Sequence, residues 1–379
     1  MQSQNIGISW QLSDRHGWGV FGLHLALNLI KDGPCSPLLF AEPDFIGIPE
    51  ETTNKLRSYL YDPTNFSDLL EKTTLLHSLG NAFKENPATS DLRGRANVAF
   101  AFFEDVCFDE TAIARANAWD RLLVGSTWNR DVCLELGLSK VEFVSQGIDI
   151  NHFFPAPKQG VPSGRFVVYS GGKLEHRKGQ DLVLAAFKIF HAKYPDSILV
   201  TAWQNSWIES AVTISRSPLI HTPPEQAADG QIKMTEWAAS NGIDKHSFVD
   251  LGWVSNARLP AILREVDVAL FPSRCEGGTN LAAMEAMASG VACVLSKNTG
   301  HLDLIDGENC YALDKQSEIP LLPAYWRESN VDEIVEKLEQ AYIDKEGREQ
   351  RAQRGAASMK HLSWEAQIGM LVSTIEDLL

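Results

Sequence analysis

Phe271-Pro272-Ser273-Arg274-Cys275-Glu276-Gly277-Gly278-Thr279-Asn280-Leu281 runs straight into Ala282-Ala283-Met284-Glu285-Ala286-Met287-Ala288-Ser289-Gly290. The apolar run Val268 to Phe271 reads as the end of a strand, and a glycine-bearing loop follows it. The next segment is a helix of Leu, Ala and Met whose single polar residue between Leu281 and Ala288 is Glu285. A helix that is apolar all round is a buried helix. A carboxylate on it is costly unless it meets donors or a ligand. Glu285 therefore needs a partner, and a polyol such as a ribose is a fitting one. The start of the helix, at Gly278 to Asn280, presents unpaired N–H groups and the positive end of the dipole to an anion.

Strand, loop and helix in this order form half of a βαβ unit, and the rest of the chain has the same grammar. In the first half, Ile6 to Trp10 reads as a strand and Val20 to Ile30 as a helix. Ser36 to Phe40, Asn97 to Phe103, Arg121 to Gly125 and Val141 to Ser145 are further strands. The region from Pro43 to Arg95 is polar and irregular, with short helices such as Phe66 to Ser78 expected. Gln146 to Arg165 carries Pro155, Pro157, Gly160, Pro162 and Gly164, the composition of an inter-domain crossing. The pattern then restarts. Strands are expected at Phe166 to Ser170, Ile198 to Trp203, Phe248 to Leu251, Val266 to Phe271 and Val291 to Leu295. Gly179 to Tyr194 and Trp364 to Leu379 read as amphipathic helices. The fold class is α/β, with two Rossmann-like domains facing each other across a cleft.

Composition narrows the partners. The chain has 379 residues, a formal charge of −15 and a hydrophobic fraction of 44%. So acidic a surface argues against a general nucleic-acid binder and leaves room for a local basic pocket. No apolar run approaches the ~18 residues of a membrane helix. Met1-Gln2-Ser3-Gln4-Asn5 lacks the basic region of a secretory leader, so a cytoplasmic location is expected. The six cysteines are scattered without a CxxC pair, which reads as reduced, mostly core thiols rather than a metal site.

Three further clusters bear on chemistry. Gly171-Gly172-Lys173-Leu174-Glu175-His176-Arg177-Lys178-Gly179 follows a strand and opens a helix. Glycines there admit a ligand close to the backbone, ligands of open α/β sheets bind beyond the carboxyl ends of the strands, and Lys173 and Lys178 are point charges suited to a diphosphate. Asp14-Arg15-His16-Gly17-Trp18-Gly19 lies between the first strand and its helix, either as a ligand-facing loop or as an ordinary turn. Phe102-Phe103-Glu104-Asp105 ends a strand, where Glu104 can reach a cleft or cap the next helix.

Together these residues resemble the GT-B fold retaining glycosyltransferases of family 4. The family pairs a strand followed by Gly-Arg-Leu and Lys-Gly with a later Glu-Gly loop and Glu-Ala helix. Here the counterparts are Gly172-Lys173-Leu174 with Lys178-Gly179, and Glu276-Gly277 with Glu285-Ala286. Val144 to Asp149, through Phe154-Pro155, resembles the inter-domain crossing, and Leu251-Gly252-Trp253-Val254 the turn near the nucleobase. Three features depart from the pattern. Lys173 replaces an arginine, which keeps charge and loses the bidentate fork. Glu276 and Glu285 stand one residue further apart than in the family, so either the loop bulges by one residue or Glu276 is not the equivalent of the family's first glutamate. Thr299-Gly300-His301 replaces a Gly-Gly pair, which sets His301 near the cleft or, the reading favoured here, in a surface turn.

The resemblance implies an acceptor-side domain over residues 1–150, a nucleotide-sugar domain over 151–362, and a C-terminal helix over 363–379 crossing back onto the first. It implies a retaining transferase moving a sugar from a nucleotide-sugar donor to a saccharide, lipid-linked glycan or protein. Lys173, Lys178 and Glu276 would be catalytic, the lysines holding the diphosphate and Glu276 orienting the sugar hydroxyls. Donor contacts would also come from Gly17, Gly19, Gly172, Val254, Gly278, Thr279, Asn280 and Leu281, with Glu285 on the ribose. His16 and Glu104 are acceptor-side candidates. No cofactor and no metal would be strictly required, no nucleic acid is implied, and peripheral membrane contact stays open. A sugar-nucleotide epimerase and a non-catalytic sugar-nucleotide-binding subunit are the alternatives.

Overall fold

The computed structural model describes residues 5–62, 64, 66–320 and 322–379. Met1 to Gln4, on which the expectation of a missing leader rests, lie outside the described residues. The chain divides into two compact units. The first holds Met1–Asp149, Gly277–Thr279 and Leu362–Leu379, and the second Ile150–Glu276 and Asn280–His361.

In the first unit the strands are β1 (Asn5–Ile8), β2 (Ser36–Leu39), β3 (Thr73–Leu79), β4 (Ala96–Ala101), β5 (Arg121–Val124) and β6 (Val141–Phe143). Among the described residues they form one parallel sheet in the order β2-β1-β3-β4-β5-β6. One expectation fails here. Phe66 to Ser78 is not one helix: a short helix at Phe66–Leu70 gives way to β3. Thr73-Thr74-Leu75-Leu76-His77 is a buried run that pairs on both edges, and β-branched and apolar residues suit that setting better than a helix.

The Gly17–Asp32 helix joins β1 to β2 and shares an aromatic cluster with the Trp364–Thr374 helix. The Trp364 ring lies 5.8 Å from Phe21 and stacks on His24 at 4.8 Å. Ser363 caps the C-terminal helix by accepting from the Ala366 N–H. Trp364 N–H donates to the Ile148 carbonyl, and a Cβ on Gly147 would lie 2.6 Å from Trp364 Cα. The tail of the chain is thus tied to the strand-end segment around Gly147 by backbone pairing as well as by aromatic packing. The helix stops at Thr374, short of the expected Leu379, with a last short turn at Glu376–Leu378.

The second unit repeats the architecture with β7 (Phe166–Gly171), β8 (Ser197–Ala202), β9 (Phe248–Asp250), β10 (Val268–Phe271), β11 (Ala292–Ser296) and β12 (Tyr311–Leu313). The sheet order among the described residues is β12-β11-β10-β7-β8-β9, again all parallel. A small antiparallel pair, β13 (Gln316–Glu318) and β14 (Arg327–Ser329), is added beyond it. β7 and β10 are neighbours, so the loops leaving their carboxyl ends emerge side by side. Phe187, Phe190, Trp203, Val268, Leu270, Ile334 and Leu338 are among the buried core residues between this sheet and its helices. These two six-stranded parallel sheets with flanking helices are the α/β, GT-B-class architecture expected from the sequence. Among the described residues no helix is long and apolar enough to cross a membrane. Five of the six cysteines are buried and all are free.

Candidate functional site

The loop after β7 is set by two glycines. Gly172 has φ +97° and Gly179 φ +73°, conformations that L side chains rarely adopt. A Cβ on Gly179 would lie 2.2 Å from the Pro272 carbonyl oxygen, so the Lys178-Gly179 step packs directly on the loop after β10. That contact brings Lys178 to Glu276. The Gln180–Lys193 helix then starts, one residue later than expected.

A chain of alternating charges results. Lys173 Nζ lies 3.3 Å from Glu175 Oε2. Arg177 donates to Glu175 Oε1 at 2.5 Å and to Glu276 Oε2 at 2.9 Å. Lys178 Nζ donates to both Glu276 oxygens at 2.8 Å. With both glutamates ionised, the array Lys173-Glu175-Arg177-Glu276-Lys178 carries one net positive charge. Ser273 Oγ at 2.6 Å and Asn280 Nδ2 at 3.0 Å also donate to Glu276 Oε1. Burial alone would raise the pKa of Glu276, but Lys178 and Arg177 outweigh it and hold the carboxyl far below its ordinary range. Glu175, also buried, is lowered in the same way by Arg177 and then Lys173. A carboxylate has about four lone-pair sites, so the Glu276 carboxylate is saturated by protein donors.

A second ion pair, unseen in the sequence reading, supports this loop. Arg274 is fully buried and donates to Asp181 Oδ1 at 2.8 Å and Oδ2 at 2.6 Å, and to Glu328 Oε2 at 2.6 Å. It also donates to the His176 carbonyl at 2.6 Å, while its backbone N–H bonds the Arg177 carbonyl at 2.7 Å. Arg274 thus clamps the loop after β7 to the loop after β10. Its position between Ser273 and Glu276 and the Lys-Gly-x-Asp spacing of Asp181 were the signals available.

His301 corrects an expectation. It is not in a surface turn but wholly buried, with Nε2 3.0 Å from Asn280 Nδ2 and 4.0 Å from Glu276 Oε1. The Thr299–Asp303 turn places it there, and Thr299 Oγ1 accepts from the Glu276 N–H. Asn280 has φ +78° and immediately precedes the helix, which begins at Leu281. Glu285 stands one turn into that helix, its carboxyl without an ion pair or hydrogen bond to any described residue. Loss of hydration raises its carboxyl pKa to about 8.

Not every candidate joins this group. Val254 lies in the loop after β9, an edge strand two positions from β7. Gly278 and Thr279 fall among the residues of the first unit, where a Cβ on Gly278 would lie 2.7 Å from Gln146 Oε1. His16 Nδ1 accepts from the Gly19 N–H at 3.0 Å and caps the Gly17–Asp32 helix. A Cβ on Gly19 would lie 2.5 Å from Ser13 Cβ, so this glycine closes a tight turn, whereas Gly17 has room for one. Glu104 is half-buried, and the following helix, Glu110–Asn117, is capped by Asp109 instead.

Residues 154–358, more than half of the chain, match the family described as glycosyl transferases group 1. No curated protein sequence gives a significant match. Among solved structures, Anabaena HepE in complex with UDP and glucose is similar at a TM-score of 0.69 and 14% identity, over 99% of this chain and 100% of that one. The sucrose-phosphate synthase of Thermosynechococcus elongatus is similar at 0.67 and 14%, over 99% of each chain. A glycosyltransferase from Rickettsia africae is similar at 0.69 and 11%, over 100% and 99%. At these identities the likeness is one of fold.

Proposed function

Starting from the fact that the chain belongs to the glycosyl transferases group 1 family and is a glycosyltransferase, we propose that its second unit binds a nucleotide-sugar whose diphosphate lies against Lys173 and Lys178. We propose further that the sugar is transferred with retention of configuration to an acceptor hydroxyl. The observation that carries this reading is the charge array on the adjacent carboxyl ends of β7 and β10. Lys178 and Arg177 are already largely desolvated and held in place, so little reorganisation of these two is needed when negative charge grows on the leaving diphosphate. No metal is strictly required in this mechanism: Lys173, Lys178 and Arg177, with one net positive charge once Glu175 and Glu276 are counted, would face the diphosphate. The start of the Leu281–Ala288 helix adds N–H donors and dipole on the same side.

Glu276 takes a different part from the one the family resemblance implies. Its oxygens are occupied by Lys178, Arg177, Ser273 and Asn280, so it anchors the cations rather than reaching for sugar hydroxyls. Glu285, with its unpartnered carboxyl, suits the ribose hydroxyls. HepE structures containing UDP, UDP with glucose, and UDP-glucose make uridine nucleotides the first donors to try. His16 and Glu104 remain our acceptor-side candidates in the first unit, and the acceptor is taken to be a saccharide, a lipid-linked glycan or a protein.

The test is donor turnover. Removing one preorganised charge of this kind costs about 100-fold or more, so Lys178→Ala should lower kcat/KM for the nucleotide-sugar by that factor, and Lys173→Ala by less, since Lys173 is more exposed. Wild-type turnover in Lys178→Ala would refute the phosphate assignment. A product formed from the donor without any acceptor would point to epimerisation instead.

A further inference from the structure

The proton positions around Glu276 follow from the acceptors present. Ser296 Oγ lies 2.6 Å from the Ser273 carbonyl oxygen, which can only accept, so the hydroxyl proton is spent there. His301 Nδ1 lies 3.0 Å from the same Oγ and 3.2 Å from the Ser296 carbonyl oxygen. Neither has a proton to give, so Nδ1 carries the hydrogen and donates to both. Burial holds the His301 pKa down to about 4, so the ring is neutral and Nε2 is an acceptor. Asn280 Nδ2 donates one hydrogen to Nε2 at 3.0 Å and the other to Glu276 Oε1 at 3.0 Å. Both contacts demand the nitrogen end of the amide, which fixes its orientation.

Asn280 Oδ1 is therefore turned away from both. It accepts from no described residue, and the side chain does not cap the helix it precedes. Asn280 is only 6% exposed, yet Oδ1 is not among the buried atoms cut off from solvent. An oriented acceptor is left open beside the Glu276 carboxylate that also holds Lys178 Nζ.

We infer that Asn280 Oδ1 accepts a hydrogen bond from a hydroxyl of the donor sugar, and that His301 is the positioning residue that keeps the amide oxygen outward; this rests on the nucleotide-sugar reading above. A sugar joined to a diphosphate at Lys178 has its hydroxyls within one side chain's reach of Asn280. Glu276 has no lone pair left for them. A neutral amide also serves better than a carboxylate, because it accepts the hydroxyl without adding negative charge next to the diphosphate.

Calorimetric titration with matched pairs tests this: UDP with UDP-glucose, GDP with GDP-mannose, ADP with ADP-glucose. For the pair that binds the wild type, Asn280→Ala should weaken the nucleotide-sugar roughly tenfold, the worth of one hydrogen bond. The nucleoside diphosphate alone should change by less than about twofold, because it lacks the hydroxyl. His301→Phe should act in the same direction. A role in structure alone would weaken both ligands equally, and that result, or no change for the sugar ligand, overturns the inference. Monodeoxy donors keep the test independent of whether the variants fold. On the wild type, one deoxy position should lose about tenfold in affinity and the others should not; if no deoxy position does, the inference fails. In Asn280→Ala that deoxy position should cost nothing further. If no pair binds the wild type at all, the donor reading itself falls, a different result from equal weakening of both ligands.

Discussion

Glu285 shows how one side chain links site and stability. Its pKa is raised from 4.5 to about 8 by loss of hydration. Between those values the folded protein keeps a proton that the unfolded chain has released, so this group makes stability fall as pH rises through the window. Glu285→Gln has no proton to lose. The melting temperature of the wild type relative to this variant should therefore drop between pH 5 and pH 8, by about 5 °C; a flat or rising difference would refute the assignment. His77, His176 and His301 act in the opposite window. Burial lowers each to about 4, so their contribution is present above pH 6.5 and lost as pH falls toward 4. The variant comparison separates the two effects. That Glu285 needs a partner was legible in the sequence, because it is the one polar residue of an apolar helix; that no described side chain pairs with its carboxyl was not. That Glu276 is saturated was not, since Ser273, Asn280 and Lys178 reach it only through the fold.

Among elements, the loops after β7 and β10 decide the site. Arg274 and Asp181 are each wholly buried as a bidentate pair. Such a pair adds little to stability as a whole, but leaving one member alone costs about 3–5 kcal/mol. Asp181→Ala should therefore destabilise the protein in chemical denaturation, by less than that full amount because Glu328 still pairs with Arg274, and should impair donor turnover, because the Arg274 side chain that holds the His176 carbonyl loses its bidentate partner. Unchanged stability would show that the clamp is replaceable. Elements were unevenly legible. Strands such as Phe166–Gly171 are continuous apolar runs and were read nearly to the residue. β3 was missed because the polar segment around it hid a buried strand that is recognised only by the partners on its two edges.

For the whole molecule, two parallel six-stranded sheets among the described residues, with the C-terminal helix part of the first unit, make up the fold shared with the similar solved structures. A ligand that binds only the folded state stabilises it by about 2.7 kcal/mol at a hundred times its Kd. Under the proposed function, one nucleoside diphosphate of a panel should raise the melting temperature, and Lys178→Ala should abolish the shift. A shift undiminished in the variant would move the phosphate site elsewhere. The sequence by itself determined the α/β class, the restart after the linker and the loops that carry charge, because periodicity, glycine placement and residue type are local properties. Only the tertiary structure decided which acid each base meets. Lys178 and Glu276 are 98 residues apart and become partners because β7 and β10 lie side by side, and no local pattern encodes which strands will be neighbours.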